Sequence, residues 1–393
     1  MSKYRVEIPQ EAMENTEIPK SGPLVMRVHR HQLVIEPENL ASIVPQIKMS
    51  WYILPAILVA ILVFSQLYAD RIQLVPLSGP ASSLGNIITA FGGLCGIGAF
   101  IITLISEKIK RTGPAQQFSW RILLPIAMAS GLILVFTVYA LFWVLSQLFG
   151  GATFDIYTAC IMIAISIAVI NYIMINLSMT LSPGVITNLM TIMILGGVLF
   201  SMLTNGRKNW WRYNFSYLGT AQSGSSMQFN LTLIFTGILM ATLVDYLFVN
   251  LKRRYHNWRI EISRWMLFGL AACLAGVGLF PNNREFHYLH DQISMWLVYL
   301  LLILIIILRW ILPMISNNFL RLSYLMGAVM AAEYIAFKFV HYLSLTAFEL
   351  LSFGLALSWT LLLFQNLEYL IQSDSEILDI DLVVIKHESD DQD

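Results

Sequence analysis

Ten long apolar runs separated by short polar segments set the pattern of this chain. They predict membrane-spanning α-helices at about 51–69, 85–106, 121–148, 155–180, 184–204, 229–251, 262–280, 290–313, 320–341 and 345–370. Each is close to or above the roughly 20 residues a helix needs to cross a hydrocarbon core. The second run is the least regular, because Gly92, Gly93, Gly96 and Gly98 lower helix propensity, although small residues also let membrane helices approach closely. An even number of spans returns both termini to one side. The expected fold is an all-α polytopic transmembrane helix bundle of about ten spans. It divides into a tail at 1–50, a four-span region at 51–184, a six-span region at 185–370 and an acidic tail at 371–393.

The tails carry a different pattern. Residues 25–35 (VMRVHRHQLVI) and 377–385 (ILDIDLVVI) are rich in β-branched residues and partly alternate, as strands do. Pairing between them would make a small β element; two independent tails are the alternative.

Composition removes the soluble alternatives. The chain is 57% hydrophobic and 12% charged, with a mean hydropathy of +0.68, whereas soluble domains are about a quarter charged. Zero formal net charge argues against a nucleic-acid partner. Cys95, Cys160 and Cys273 all fall in apolar runs and suggest neither a disulfide nor a zinc site. The first 22 residues lack the apolar core and cleavage site of a signal peptide.

Charge orients the bundle, because cytoplasmic loops retain Lys and Arg. With 107–120 and 252–264 inside, 18 of the 24 basic residues are cytoplasmic and 6 are external. Both termini are then expected in the cytoplasm. Arg207, Lys208 and Arg212 break the rule by lying outside, which suits contact with anionic headgroups or another phosphate-bearing ligand, or is ordinary loop charge.

Three segments carry candidate chemistry. At 209–219 (NWWRYNFSYLG), Trp210, Trp211, Tyr213 and Tyr217 suit the headgroup level, while Asn214 and Ser216 would hydrogen-bond a headgroup if turned into the bundle. At 278–294, a helix starting near Glu285 puts His287, His290, Asp291 and Ser294 on one face. Two imidazoles and a carboxylate could supply three zinc ligands, the other reading being local hydrogen bonding. In the ninth run, Glu333 and His341 share a broad face and Lys338 is displaced from it. A Glu333 salt bridge with Lys338 or an Arg is the structural alternative. Asn214, Ser216, His287, His290, Asp291, Glu333 and His341 are expected to converge on one externally facing polar pocket. Asn171 and Asn176 suit interhelical hydrogen bonds, and Asp245 suits neutralisation by Arg253 or Arg254.

The motifs NFSYLGT at 214–220, leading into a span, and GLFPNN at 278–283, before a His-bearing helix start, resemble the bacterial membrane family called domain of unknown function 998. The resemblance covers about residues 185–370. That family is similar in turn to the Frag, DRAM and Sfk type of six-span proteins, which are linked with lipid remodelling and plasma-membrane lipid organisation. The resemblance implies that Asn214, Ser216, Gly219, Pro281 and His290 are the positions to carry over; it supplies no catalytic residues and does not reach the first four spans.

The expected function is recognition, with or without modification, of a lipid or amphiphile in that pocket, in a bacterial plasma membrane. A secondary transporter and a membrane-anchored scaffold or sensor are the alternatives. No GxxxxGK[ST] loop or GxSxG elbow is present, so no cofactor is expected; the expected partners are membrane lipids.

Overall fold

The computed structural model describes residues 24–29, 32–37, 47–110, 118–206, 209–255, 257–372 and 377–380. Within them ten helices are long and apolar enough to cross a membrane: α1 Met49–Ala69, α2 Leu84–Lys110, α3 Trp120–Leu148, α4 Ile156–Met179, α5 Pro183–Thr204, α6 Ser226–Lys252, α7 Trp258–Leu279, α8 His287–Ile311, α9 Asn317–Lys338 and α10 Leu345–Ile371. Lipid offers the backbone no hydrogen bonds, so a spanning segment must satisfy its own, and a helix does so. The chain is a ten-span helical membrane bundle, glycine-rich second span included.

Two compact units are distinguishable, the bundle Ile47–Glu368 and the tails Met1–Gln46 with Tyr369–Asp393. In the tail unit, β1 Leu24–His29 sits between β2 Gln32–Pro37 and β5 Ile377–Ile380, both antiparallel to it. Leu24 lies opposite Pro37 on one side and Ile380 on the other. The pairing expected between the tails is therefore present; its extension over 381–385 lies outside the described residues.

Within the bundle, α1 begins and α10 finishes at one end, which we call proximal. The distal end carries the links 70–83, 149–155, 205–225, 280–286 and 339–344. Contacts between links fix this assignment. The ribbon of β3 Leu74–Pro76 and β4 Thr153–Asp155 pairs Val75 with Phe154, and the Ala221 N–H donates to Asn283 Oδ1 at 3.0 Å. Asp155 then caps α4: its Oδ1 accepts from the N–H groups of Tyr157 and Thr158, and its Oδ2 from the Thr158 hydroxyl. That hydroxyl is the first cause holding the Asp155 carboxyl below its ordinary range.

Glycine sets the tightest crossings. A Cβ on Gly237 of α6 would stand 2.6 Å from the Ala271 carbonyl oxygen of α7, and one on Gly278 would stand 2.6 Å from the Asn230 carbonyl oxygen. These two helices thus touch backbone to backbone. α6 is the centre of the bundle, with 67% of its membrane window buried against 17% for α1. α4 packs on α1 and α2, and α3 links that group to α5 and α6. α2 and α5 each contain one π turn, Ile88–Gly92 and Ile192–Gly196, that ends on the first residue of a Gly-Gly pair.

Candidate functional site

The link 205–225 forms a strap across the distal end. Its 209–219 part folds as two 3₁₀ turns, Trp210–Arg212 and Phe215–Gly219. Phe215 and Leu218 drop into a core made by Ile194 and Val198 of α5 and Phe229 and Leu233 of α6, with Phe353 of α10 packed against it. Trp211 and Tyr213 are exposed, as expected of interfacial rings, but Tyr217 is buried and its hydroxyl donates to the Gln222 carbonyl. Asn214 and Ser216 flank the Phe215 plug and are half-buried.

α10 holds this strap at two points. Thr346 Oγ1 donates to the Trp211 carbonyl at 2.8 Å. One turn later, the Glu349 carboxylate accepts the N–H of Phe215, and the N–H of Ser216 is directed at it as well. An anion at the start of a helical turn meets N–H groups that lack intrahelical partners. α6 adds a third tie, Asn230 Nδ2 donating to the Gly219 carbonyl at 2.9 Å. A Cβ on Gly219 would stand 2.5 Å from Asn230 Oδ1 and displace that amide from its bond.

The 280–286 link adds the imidazoles. His290 is 3% exposed, and its Nδ1–H donates to the Phe280 carbonyl at 2.8 Å, closing the end of α7. His287 is exposed; its Nδ1 donates to Asn282 Oδ1, and its Nε2 lies 3.5 Å from Asp291 Oδ2. Asp291 is exposed and within electrostatic range of Glu349. Glu349 thus faces the Ser216 backbone on one side and is within electrostatic range of Asp291, beside which His287 lies.

Other expectations are corrected. Among the described residues no three His, Cys, Asp or Glu side chains are grouped to hold a metal ion. The zinc reading of His287, His290 and Asp291 lacks such a geometry, because His290 is buried against the end of α7 while the other two are exposed. α9 stops at Lys338, so His341 lies beyond it, exposed, with φ 55°, and the helical face expected to join it to Glu333 is not formed. Glu333 accepts a hydrogen bond from Ser352 Oγ of α10 at 3.4 Å rather than pairing with Lys338. Arg212 is exposed, and Arg207 and Lys208 lie outside the described residues. At the proximal end Asp245 pairs at 2.7 Å with Arg264; the side chains of Arg253 and Arg254, the partners expected for it, lie outside the described residues. Asn171 does make an interhelical bond, Nδ2 to the Tyr52 carbonyl at 3.3 Å.

Sequence reasoning missed Glu349, Thr346, Asn230, Asn282 and Asn283. Glu349 was the most accessible: a carboxylate inside the apolar run AFELLSFG carries the same signal as Glu333.

Residues 189–366 match the family described as Protein of unknown function (DUF998). No curated protein and no solved structure matches the chain. The matched stretch runs from α5 into α10 and contains the strap, the 280–286 link and Glu349, so the six-span part of this chain belongs to the DUF998 family.

Proposed function

We propose that the distal corner receives the polar head of a lipid or other amphiphile, with the strap as one wall and the first turns of α8 and α10 as the other. One observation carries this reading. Asn214 Oδ1 is buried and has no hydrogen-bond partner among the described residues, beside a Glu349 carboxylate already engaged by the strap backbone. An acceptor left in that state costs roughly 1–3 kcal/mol, which a ligand hydroxyl or amine would recover. His287 and Asp291, exposed at the start of α8 with Asp291 within electrostatic range of Glu349, would supply further donors and acceptors. With the orientation suggested by the basic residues, this corner faces the outside of a bacterial plasma membrane and both termini face the cytoplasm.

Native mass spectrometry of protein purified from its own membrane tests the reading. A bound amphiphile should be retained by the wild type and released by Asn214→Leu and by Asp291→Asn. Equal bound mass in all three proteins would remove it. Orientation is tested separately by cysteine tagging: Gln222→Cys should label in intact cells and Lys110→Cys only after the membrane is opened. A secondary-transport reading draws on the π turns of α2 and α5, irregularities that recur at functional sites. Gradient-driven uptake into proteoliposomes would favour it.

A further inference from the structure

The second feature that calls for a ligand is a groove between α6 and α7. It encloses ≈ 540 Å³. Gly237 and Ala241 of α6 and Ala271, Ala272 and Ala275 of α7 form its floor, and Arg264 and Trp265 stand at its proximal end. The small residues at the Gly237 crossing leave the space open, with Ile238 and Phe268 also lining it. We infer that this groove holds one acyl chain of an anionic phospholipid, whose phosphate lies against Arg264.

Length, depth and charge each support that occupant. From Arg264 to Ala275 the helix rises by about 17 Å, close to half of a hydrocarbon core about 30 Å thick, which is one leaflet. Trp258 and Trp310 are exposed at the proximal end and mark the headgroup level. Arg264 lies about 9 Å deeper along α7, and its side chain, which bonds Glu261 nearly a turn earlier, leans back toward that level. A docking transmembrane helix would need contact over about twice that length and would have to cover the Trp265 indole.

The Arg264 guanidinium also has capacity to spare. Of its five N–H donors, one bonds Asp245 at 2.7 Å and one bonds Glu261 at 3.3 Å. Its Nε–H is buried with no partner among the described residues. The surrounding segment 252–264 carries five basic residues against one acid, a surplus that attracts an anionic headgroup.

The test uses full-length protein in nanodiscs, once with phosphatidylglycerol and once with phosphatidylcholine, read by native mass spectrometry. One phosphatidylglycerol per chain should survive gas-phase activation that strips phosphatidylcholine. Their apparent affinities should differ by about tenfold, the size of one charge-assisted hydrogen bond. Ala272→Phe should abolish retention, because Ala272 is exposed and a ring there fills the groove without touching the α6–α7 crossing. Arg264→Lys should keep the preference for the anionic lipid and Arg264→Gln should lose it. Asn214→Leu should leave it intact, since that residue belongs to the distal corner. Three results would overturn the inference: equal retention of the two lipids, equal retention by wild type and Ala272→Phe, or conversion of a dimer to monomer by Ala272→Phe, which would give the groove to a second copy of the chain.

Discussion

The first four spans and the last six are built from the same apolar material but are held together differently. In α1–α4 the close approaches are glycine against apolar side chains: a Cβ on Gly96 would meet Leu134 and Ile170 methyls, and one on Gly131 would meet Ile97. In α5–α10 the tightest approaches are to backbone or a short polar side chain, as at Gly237 with Ala271 and Gly197 with Thr232, while Gly276 and Gly327 meet isoleucines less closely. Polar ties then lace the distal end through Glu349, Thr346, Asn230 and Asn283. In lipid there is no hydrophobic force between helices, so steric fit and hydrogen bonds must hold the bundle. The first region relies mainly on fit, with the Asn171 bond to Tyr52 beside it. The second uses both, and its polar ties coincide with the candidate binding corner.

The sharpest way to break this comparison is a matched pair of glycine substitutions. Gly237→Ala should cost about 3 kcal/mol or prevent recovery of monodisperse protein, because the carbonyl it meets cannot move without parting α6 from α7. Gly96→Ala should cost about 1 kcal/mol, since methyl groups can yield. Denaturation in detergent reads both; equal losses would erase the distinction.

A matched polar pair comes next. Glu349→Ala strips the acceptor from two strap N–H groups and should cost about 2 kcal/mol, with faster proteolysis after the exposed Arg212. Asn171→Leu removes one interhelical bond in the first region and should cost about 0.6 kcal/mol, the usual worth of such a bond in a membrane. If the Asn171 variant proved the weaker protein, the polar asymmetry between the regions would be gone.

The smallest effect is the pH response of the α4 cap. The folded Asp155 carboxyl lies below its ordinary 3.8. Its contribution is therefore fully present above that value and is lost as pH falls through the folded one. The melting advantage of wild type over Asp155→Asn should be constant from neutral pH to about pH 5 and fade only in stronger acid. An advantage that persisted in strong acid would mean that the carboxylate is not the operative cap.

Much of the fold could be read from the chain because lipid imposes a simple demand, long apolar runs, and the ten runs answer it. The pairing of the tails was also legible, since alternation in 25–35 and 377–385 is visible without any contact information. The end of α9 was not. The residues after Lys338, FVHYL, remain apolar enough to continue a span, and only the turn at His341 shows that they do not. Periodicity groups His287, His290 and Asp291 on one side of α8, yet His290 is buried and the other two are exposed. It could not reveal that the Phe280 carbonyl waits beside His290 alone. Likewise the pairing of Asp245 with Arg264 depends on the crossing of α6 and α7, which sequence spacing does not show.

The three-stranded sheet has a consequence for biosynthesis. β1 is its central strand, with β2 supplied at once by the neighbouring residues and β5 supplied by the last part of the chain. At about 5–20 residues per second, the ribosome delivers β5 tens of seconds after β1. Throughout the insertion of ten helices one edge of β1 stands open, the kind of edge that recruits foreign strands. The sheet is thus completed only after all ten helices have been made, and a nascent chain stalled before residue 377 would carry an unsealed edge.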